Sequence, residues 1–496
     1  MTSDRRSGVF LHLTSLPGPH GVGDLGAGAR EFLSFLDDAD QSLWQFCPLG
    51  PTSSGHAHSP YGSSSAFAGN PLLVDLRDLE ARGYLDADDI AQPSWADDRT
   101  VAYERVSEFK RDRLRRAFDR FEETAGESER AALADFRERE AAWLDDYTLF
   151  VALKRAHDGA AWTDWTDPLS DRDPGALAAA REEHDRAIRY REFVQWVFDE
   201  QWRDLRAAAD EHGVDLVGDL PIYVAGDSAD VWANPGAFQL SGDGTPAVVA
   251  GVPPNPGDDG QRWGNPVYDW DALAADGYDW WLDRLDRLLS QVDLARLDHF
   301  KAFHEYWAIP AEADSPAAGE WRPGPGAGFF ETVREELGEL PFVVEDLGFL
   351  DGGMLALRDQ FEFPGMRVPL YADWCAEGDR YKPRNYPENC AAYTSTHDSD
   401  TAVGVYESLS DRQRECLDYA LATGRESFAW DLIEAVWDSE ARLAFTTMPD
   451  LLERGSEARF NVPGTTEGNW RWRVTEAELD GDLANKLAGI TISTLR

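Results

Sequence analysis

Apolar residues along the chain gather into eight short runs: Val9–Leu13, Leu43–Leu49, Asp215–Val224, Asp293–Phe300, Phe342–Leu347, Met366–Ala372, Ala391–Thr396 and Leu443–Met448. Each has strand length, and several lead through a polar or Gly-rich turn into a helical pattern. Repeated βα units imply a parallel sheet, and eight of them permit a closed barrel. The expected fold class is therefore α/β, a (β/α)8 TIM barrel.

The runs are unevenly spaced, and the widest gap separates the second from the third. Within it, Ser107–Glu140 is rich in Arg, Glu, Ala and Phe at helical period, Trp143–Ala156 reads as an amphipathic helix, and Leu177–His212 as one or two more. The expected organisation is a first barrel part over 1–79, a helical insertion over 80–210, and the remaining barrel over 211–496. Residues 242–271, centred on Pro253-Pro254-Asn255-Pro256-Gly257, read as a loop, and so does Pro310–Gly328.

Charge narrows the partners. With 92 acidic against 47 basic residues the net charge is −45, which disfavours nucleic acid and anionic membrane surfaces as partners. No run approaches the ~18 consecutive apolar residues of a membrane helix. The start, Met1-Thr2-Ser3-Asp4-Arg5-Arg6, leads into a short apolar run without a cleavage-like pattern, so no signal peptide and a cytoplasmic location are expected. Cys47, Cys375, Cys390 and Cys416 form no CxxC pair and are expected as free thiols in a reducing compartment. The ten histidines show neither HExxH nor a His/Cys cluster, so no metal is expected.

Active sites of such barrels lie at the C-terminal strand ends. Three runs end in reactive residues: Arg296-Leu297-Asp298-His299, Glu345-Asp346 and Thr396-His397-Asp398. A carboxylate at a strand end is most often solvated or caps a helix, so the case needs all three together. Arg296 and Asp298 are two apart and share a strand face. A guanidinium there favours an anionic nucleophile, while neighbouring carboxylates favour a protonated Glu345. That pair suits retaining glycoside cleavage. Asp398 can stabilise a cationic transition state, with His397 donating beside it. Aromatics suited to sugar rings are plentiful, and Tyr61, Trp232 and Trp263 lie in polar or Gly/Pro-rich segments where exposure is expected. Trp44 and Trp202 read as core.

An ordered set of motifs goes further. It comprises Ser15-Leu16-Pro17-Gly18, Gly21-Val22-Gly23-Asp24-Leu25-Gly26, Leu43-Trp44-Gln45, Ser59-Pro60-Tyr61, Ser65-Ala66-Phe67-Ala68-Gly69-Asn70-Pro71, Gly218-Asp219-Leu220-Pro221, Trp263-Gly264-Asn265-Pro266, Asn461-Val462-Pro463-Gly464-Thr465 and Asn469-Trp470-Arg471-Trp472-Arg473. From Ser15 to Arg473 the chain resembles glycoside hydrolase family 77, the 4-α-glucanotransferases. The resemblance implies Asp298 as nucleophile, Glu345 as acid/base and Asp398 as transition-state stabiliser. It places Ser59, Tyr61, Asp219, Arg296 and His397 on donor-sugar contacts, and Gln261 and Trp263 on a substrate-binding loop. It implies maltooligosaccharides and α-1,4-glucans as donor and acceptor, and no cofactor. Departures are Lys301-Ala302 where the family usually has Arg-Gly, Ser399 after His397-Asp398 where Asn is usual, Pro449 where Gln is usual, and Asn255-Pro256-Gly257-Asp258 where it has Asp-Tyr-Phe-Ser. The last bears on acceptor binding. The competing expectations are an α-amylase-type hydrolase, a catalytically dead glucan-binding protein and a barrel enzyme for phosphorylated substrates. The acidic field and the lack of a Gly-rich phosphate loop argue against the last.

The acidic residues are spread along the chain, and only five of the basic residues are lysine. A compact body of this charge repels itself at low ionic strength, and salt at about 1 M shortens the Debye length to about 3 Å. The reading is a halophilic protein. Its unfolding temperature and activity are expected to rise steeply between low salt and several molar KCl; flat profiles in both would remove the idea.

Overall fold

The computed structural model describes residues 5–256, 258–421 and 427–496; Met1–Asp4, Gly257 at the centre of the Pro-rich segment, and 422–426 lie outside the described residues. Twelve strands are present among the described residues: β1 (Arg6–Phe10), β2 (Leu43–Gln45), β3 (Asp215–Leu220), β4 (Val248–Val252), β5 (Gln261–Pro266), β6 (Leu294–Leu297), β7 (Glu305–Pro310), β8 (Glu320–Pro323), β9 (Phe342–Val344), β10 (Gly365–Arg367), β11 (Cys390–Tyr393) and β12 (Leu443–Thr447). Eight close into a parallel barrel in the order β1-β12-β11-β10-β9-β6-β3-β2. Every one falls in, or within three residues of, a run expected to be a strand.

The apolar runs are near-continuous because both faces of each barrel strand are buried. Leu43, Val217, Val343, Met366, Ala391, Tyr393, Leu443 and Phe445 pack together inside the barrel. Their chain neighbours Trp44, Leu216, Phe342, Val344, Ala392 and Ala444 pack outward against the helical layer. This alternation decides where the chemistry lies, since any residue two or four beyond an interior position also faces inward. On β1 the alternation is met by Gly8, where an added Cβ would sit 2.2 Å from the Leu43 carbonyl oxygen.

Between β2 and β3 the chain forms the helices Leu76–Ala81, Tyr103–Thr124, Glu127–Arg139, Ala141–Ala156, Asp167–Ser170, Pro174–Glu183 and Asp185–Glu211. The single helical stretch expected over 107–140 is two helices. Ala125 turns out of the first, and Gly126 caps the second through a bond from its N–H to Glu129. The 27-residue helix Asp185–Glu211 ties this layer to the barrel. Its Phe193 and Trp196 pack on Phe121, while Trp202 meets Phe46 and donates to the Gln291 carbonyl at 3.1 Å.

Four further expectations are corrected. Segment 242–271 is not all loop: it contains β4 and β5. They join β7 and β8 in a four-stranded antiparallel sheet of order β5-β4-β7-β8. Segment 310–328 likewise contains β8. The Pro/Gly density marks the turns, while ladder pairing within this sheet supplies the strand character that local composition conceals. Cys375 and Cys416 are not free; they form a disulfide across 41 residues, whereas Cys47 and Cys390 are buried thiols. Tertiary packing brings this pair together: Trp374 and Leu417, each a chain neighbour of one of the cysteines, share a small core with Ala402 and Leu432. Trp232 is fully buried, with Phe150 and Trp165 against it and its indole N–H donated to the Leu169 carbonyl. The helical layer supplies the cover that its polar neighbours hid.

Candidate active site

Counting by twos from the barrel interior gives the site. On β3, Val217 leads to Asp219. On β6, Leu294 leads to Arg296 and then to Asp298. On β9, Val343 leads to Glu345. The ladder continues past the strand ends: Asp298 N–H donates to the Leu220 carbonyl at 3.0 Å, and Glu345 N–H to the Leu297 carbonyl at 2.9 Å. Asp219 and Arg296 are register partners on adjacent strands, so their side chains must meet.

They do so away from water. Arg296, 5% exposed, donates through Nη1 to Asp219 Oδ1 and Oδ2 at 2.9 and 2.8 Å. The same nitrogen lies 2.9 Å from Asp298 Oδ1. Tyr61 donates its hydroxyl to Asp219 Oδ2 at 2.7 Å and accepts from His397 Nε2 at 2.8 Å. His397 Nε2 is also 3.1 Å from Asp398 Oδ2, and Asn461 Nδ2 donates to Asp398 Oδ1 at 2.7 Å. Tyr61 and His397 are stacked, and Phe10 lies on His397. Asp219–Tyr61–His397–Asp398 thus form one hydrogen-bonded chain across the barrel mouth, with Arg296 joining Asp298 to it.

The loop bearing His397 and Asp398 is braced from below. Fully buried Asp450 accepts from Thr394 Oγ1 at 2.6 Å, Ser395 Oγ at 2.5 Å and Ala402 N–H at 2.7 Å. Glu345 is held by backbone: Leu347 N–H donates to Oε1 at 2.8 Å and His299 N–H to Oε2 at 3.0 Å.

The charge states diverge. Burial raises Glu345 to about 7, with Asp298 adding to the rise and Arg296 opposing both. Burial also acts to raise Asp398, but the His397 charge and the hydrogen bonds from His397 and Asn461 hold it well below the usual carboxylate range. His397 is raised above its usual value because Asp398 outweighs its burial. Burial also raises buried Asp219, against the Arg296 charge.

These groups open into a cleft of about 620 Å³. Ser59, Tyr61, Gln261, Trp263, Arg296, Asp298, Glu345 and Asp398 line it; Asp219 and His397 sit behind Tyr61. All ten residues singled out in the sequence are therefore in one place. Trp263 is 38% exposed on the cleft wall, its N–H bonded to Gln261 Oε1 at 2.8 Å. It stands on β5, a strand rather than a loop. Sequence reasoning gave no role to Asn461 or Tyr371. Asn461 lies in one of the ordered motifs, which was its signal. Tyr371 is 50% exposed in the cleft and follows β10, whose run ends in no charged residue. His304, Glu305 and Asp351 have the spacing of a metal cluster, but the Lys301 ammonium is bonded to the last two.

The sequence pattern of the 4-alpha-glucanotransferases, glycoside hydrolase family 77, matches residues 11–479. The chain belongs to that family. A 4-alpha-glucanotransferase of Thermus thermophilus is 43% identical, with both chains covered completely. One from Synechocystis is 42% identical over 99% of this chain and 98% of its own. Among solved structures, amylomaltase from Streptococcus agalactiae in complex with acarbose superposes with a TM-score of 0.95 at 35% identity, covering 99% of each chain. Amylomaltase from Corynebacterium glutamicum, 19% identical, shares the fold with a TM-score of 0.77 over 98% of this chain and 75% of its own. This family 77 chain thus carries its fold and its acidic cleft on one continuous barrel.

The raised Glu345 carboxyl predicts a sign. In the folded protein it binds its proton more tightly than in the unfolded chain, so its contribution to stability is present at pH 4 and lost as pH rises through about 7. In melting experiments Glu345→Gln should therefore gain stability relative to the native protein between pH 5 and pH 8. A gap that stays constant with pH would contradict the assignment.

Proposed function

We propose that the chain transfers α-1,4-glucan segments between maltooligosaccharides by a retaining double displacement. The observation that carries this reading is the divergence of charge at one barrel mouth: Glu345 raised to about 7, Asp398 held low, and Asp298 against the Arg296 guanidinium. In the first step an Asp298 carboxylate oxygen attacks the anomeric carbon. The glycosidic C–O bond breaks, and the Glu345 proton goes to the leaving oxygen. In the second step Glu345 takes the proton from the acceptor's 4-hydroxyl, whose oxygen displaces Asp298 and restores the α linkage. Asp398, anionic and anchored by His397 and Asn461, stabilises the positive charge that develops on the sugar ring.

In this reading Ser59, Tyr61 and Arg296 contact the donor sugar beside the scissile bond, with Asp219 and His397 holding Tyr61 from behind. Gln261 and Trp263 offer an amide and an indole face farther along the cleft. Residues 80–210 are read as a helical subdomain on the barrel, and the enzyme as a cytoplasmic one working in concentrated salt. Supporting the last point, Lys110, Lys301 and Lys382 are buried, so the outer surface is almost without lysine. A second reading, retaining hydrolysis, is favoured by one feature. Asn255 and Asp258 line the cleft at the β4–β5 tip, and two small polar groups give an acceptor sugar less apolar surface than an aromatic pair. Water then competes for the same glucosyl-enzyme.

Asp298→Asn keeps the shape and removes the nucleophile. Transfer with maltotriose should fall by about 10³-fold or more, with an unchanged circular-dichroism spectrum. Activity above a few per cent in a folded variant would refute the role of Asp298.

A further inference from the structure

The segment that follows Asp298 grips the Glu345 loop at three points. Two are backbone: His299 N–H to Glu345 Oε2 at 3.0 Å, and Phe300 N–H to the Glu345 carbonyl at 3.2 Å. The third is a side chain. The Lys301 ammonium, 6% exposed, donates to Glu305 Oε1 at 2.8 Å and to Asp351 Oδ2. It also lies 4.5 Å over the Trp321 ring. Asp351 is the far end of the loop that starts at Glu345. Its other oxygen accepts from Gly353 N–H at 2.7 Å and Met354 N–H at 3.0 Å, which caps the helix Gly352–Gln360.

The loop between these anchors carries the contact that fixes the Glu345 carboxylate. Leu347 N–H reaches back to Oε1, and Gly348 turns the chain with φ +76°. Leu347, Gly348 and Phe349 line the cleft. The loop therefore keeps its shape only if both ends stay in place. Lys301 holds one end with charge: Glu305 and Asp351 are brought together around a single ammonium, with His304 Nε2 3.3 Å from Asp351 Oδ1. Without that ammonium two carboxylates would face each other in a half-buried site, which drives them apart.

We propose that Lys301 is a positioning residue for Glu345. It neutralises Glu305 and Asp351, so that the Glu345–Asp351 loop keeps the acid/base carboxyl aimed at the scissile oxygen. This rests on the reading of Glu345 as the acid/base. Lys301 borders the cleft, but its ammonium is committed to the two carboxylates and the Trp321 face, so it acts on the reaction through the loop.

Two donors separate this role from a general structural one. With maltotriose the leaving oxygen needs a proton. With α-maltosyl fluoride, Asp298 attacks C1, the C–F bond breaks and fluoride departs with the electron pair, unprotonated. Lys301→Met should slow maltotriose transfer by about tenfold and leave the initial burst of fluoride within about twofold of the native rate. Lys301→Arg should restore maltotriose transfer. Asp351→Asn, which retains the cap but weakens the hold on the ammonium, should give the same split and serves if Lys301→Met does not fold. Equal slowing of both donors, or of neither, would overturn the proposal. Glu345→Gln is the control: it should lose maltotriose transfer and keep the fluoride burst. If it slows both donors alike, the reading of Glu345 fails, whatever Lys301 does.

Discussion

A guanidinium inside a barrel mouth is expensive to bury, and much of this site follows from how that cost is met. Arg296 is placed inward by the strand alternation, away from water. A buried ion loses several kcal/mol of hydration unless it is closely paired. Asp219, its register partner on β3, supplies a fully buried carboxylate, and Asp298 supplies a second, partly exposed one. Asp219 has oxygens to spare, so Tyr61 donates to it, and His397 then donates to Tyr61 and Asp398. One buried charge thus orders residues from four separate chain segments. Removing it would leave Asp219 as an uncompensated buried anion, typically a loss of about 3–5 kcal/mol.

Glu345 stands outside that network, and this is what separates it from the other carboxylates. Among the described residues, its oxygens accept from two backbone N–H groups, those of His299 and Leu347. Burial then dominates and the proton stays on near neutral pH. Asp398 also lines the cleft but has a histidine and an asparagine on its oxygens. Two carboxyl groups of similar intrinsic acidity are driven in opposite directions by their surroundings, which an acid/base and an anionic stabiliser both require.

Much of this was legible in the sequence because barrel strands carry a strong local signal. Runs such as Phe342–Leu347 are apolar on both faces and end in the reactive residue itself. The order of motifs from Ser15 to Arg473 then brought all ten site residues to one cleft. What the sequence concealed was decided by distant pairing. β4, β5 and β8 lie in Pro- and Gly-rich segments whose strand character comes from pairing, of β4 and β8 with β7 and of β5 with β4. Trp232 looks like a loop aromatic until the helices Ala141–Ala156 and Asp167–Ser170 cover it. Cys375 and Cys416 carry no spacing motif, and their bond depends on the packing of Trp374 with Leu417. Asn461 acts on Asp398, 63 residues earlier, and Lys301 on Asp351, 50 residues on, so no local pattern marks those two contacts.

The central claim is that the glucosyl-enzyme is resolved by a sugar hydroxyl rather than by water. Transfer conserves the number of reducing ends, whereas hydrolysis creates one for every bond cut. The most direct measurement is incubation with maltotriose in several molar KCl, resolving products by chain length while counting glucose and total reducing ends. Transfer gives glucose together with a ladder of longer maltooligosaccharides at constant reducing ends. Rising reducing ends without longer products would contradict it and make the chain a hydrolase.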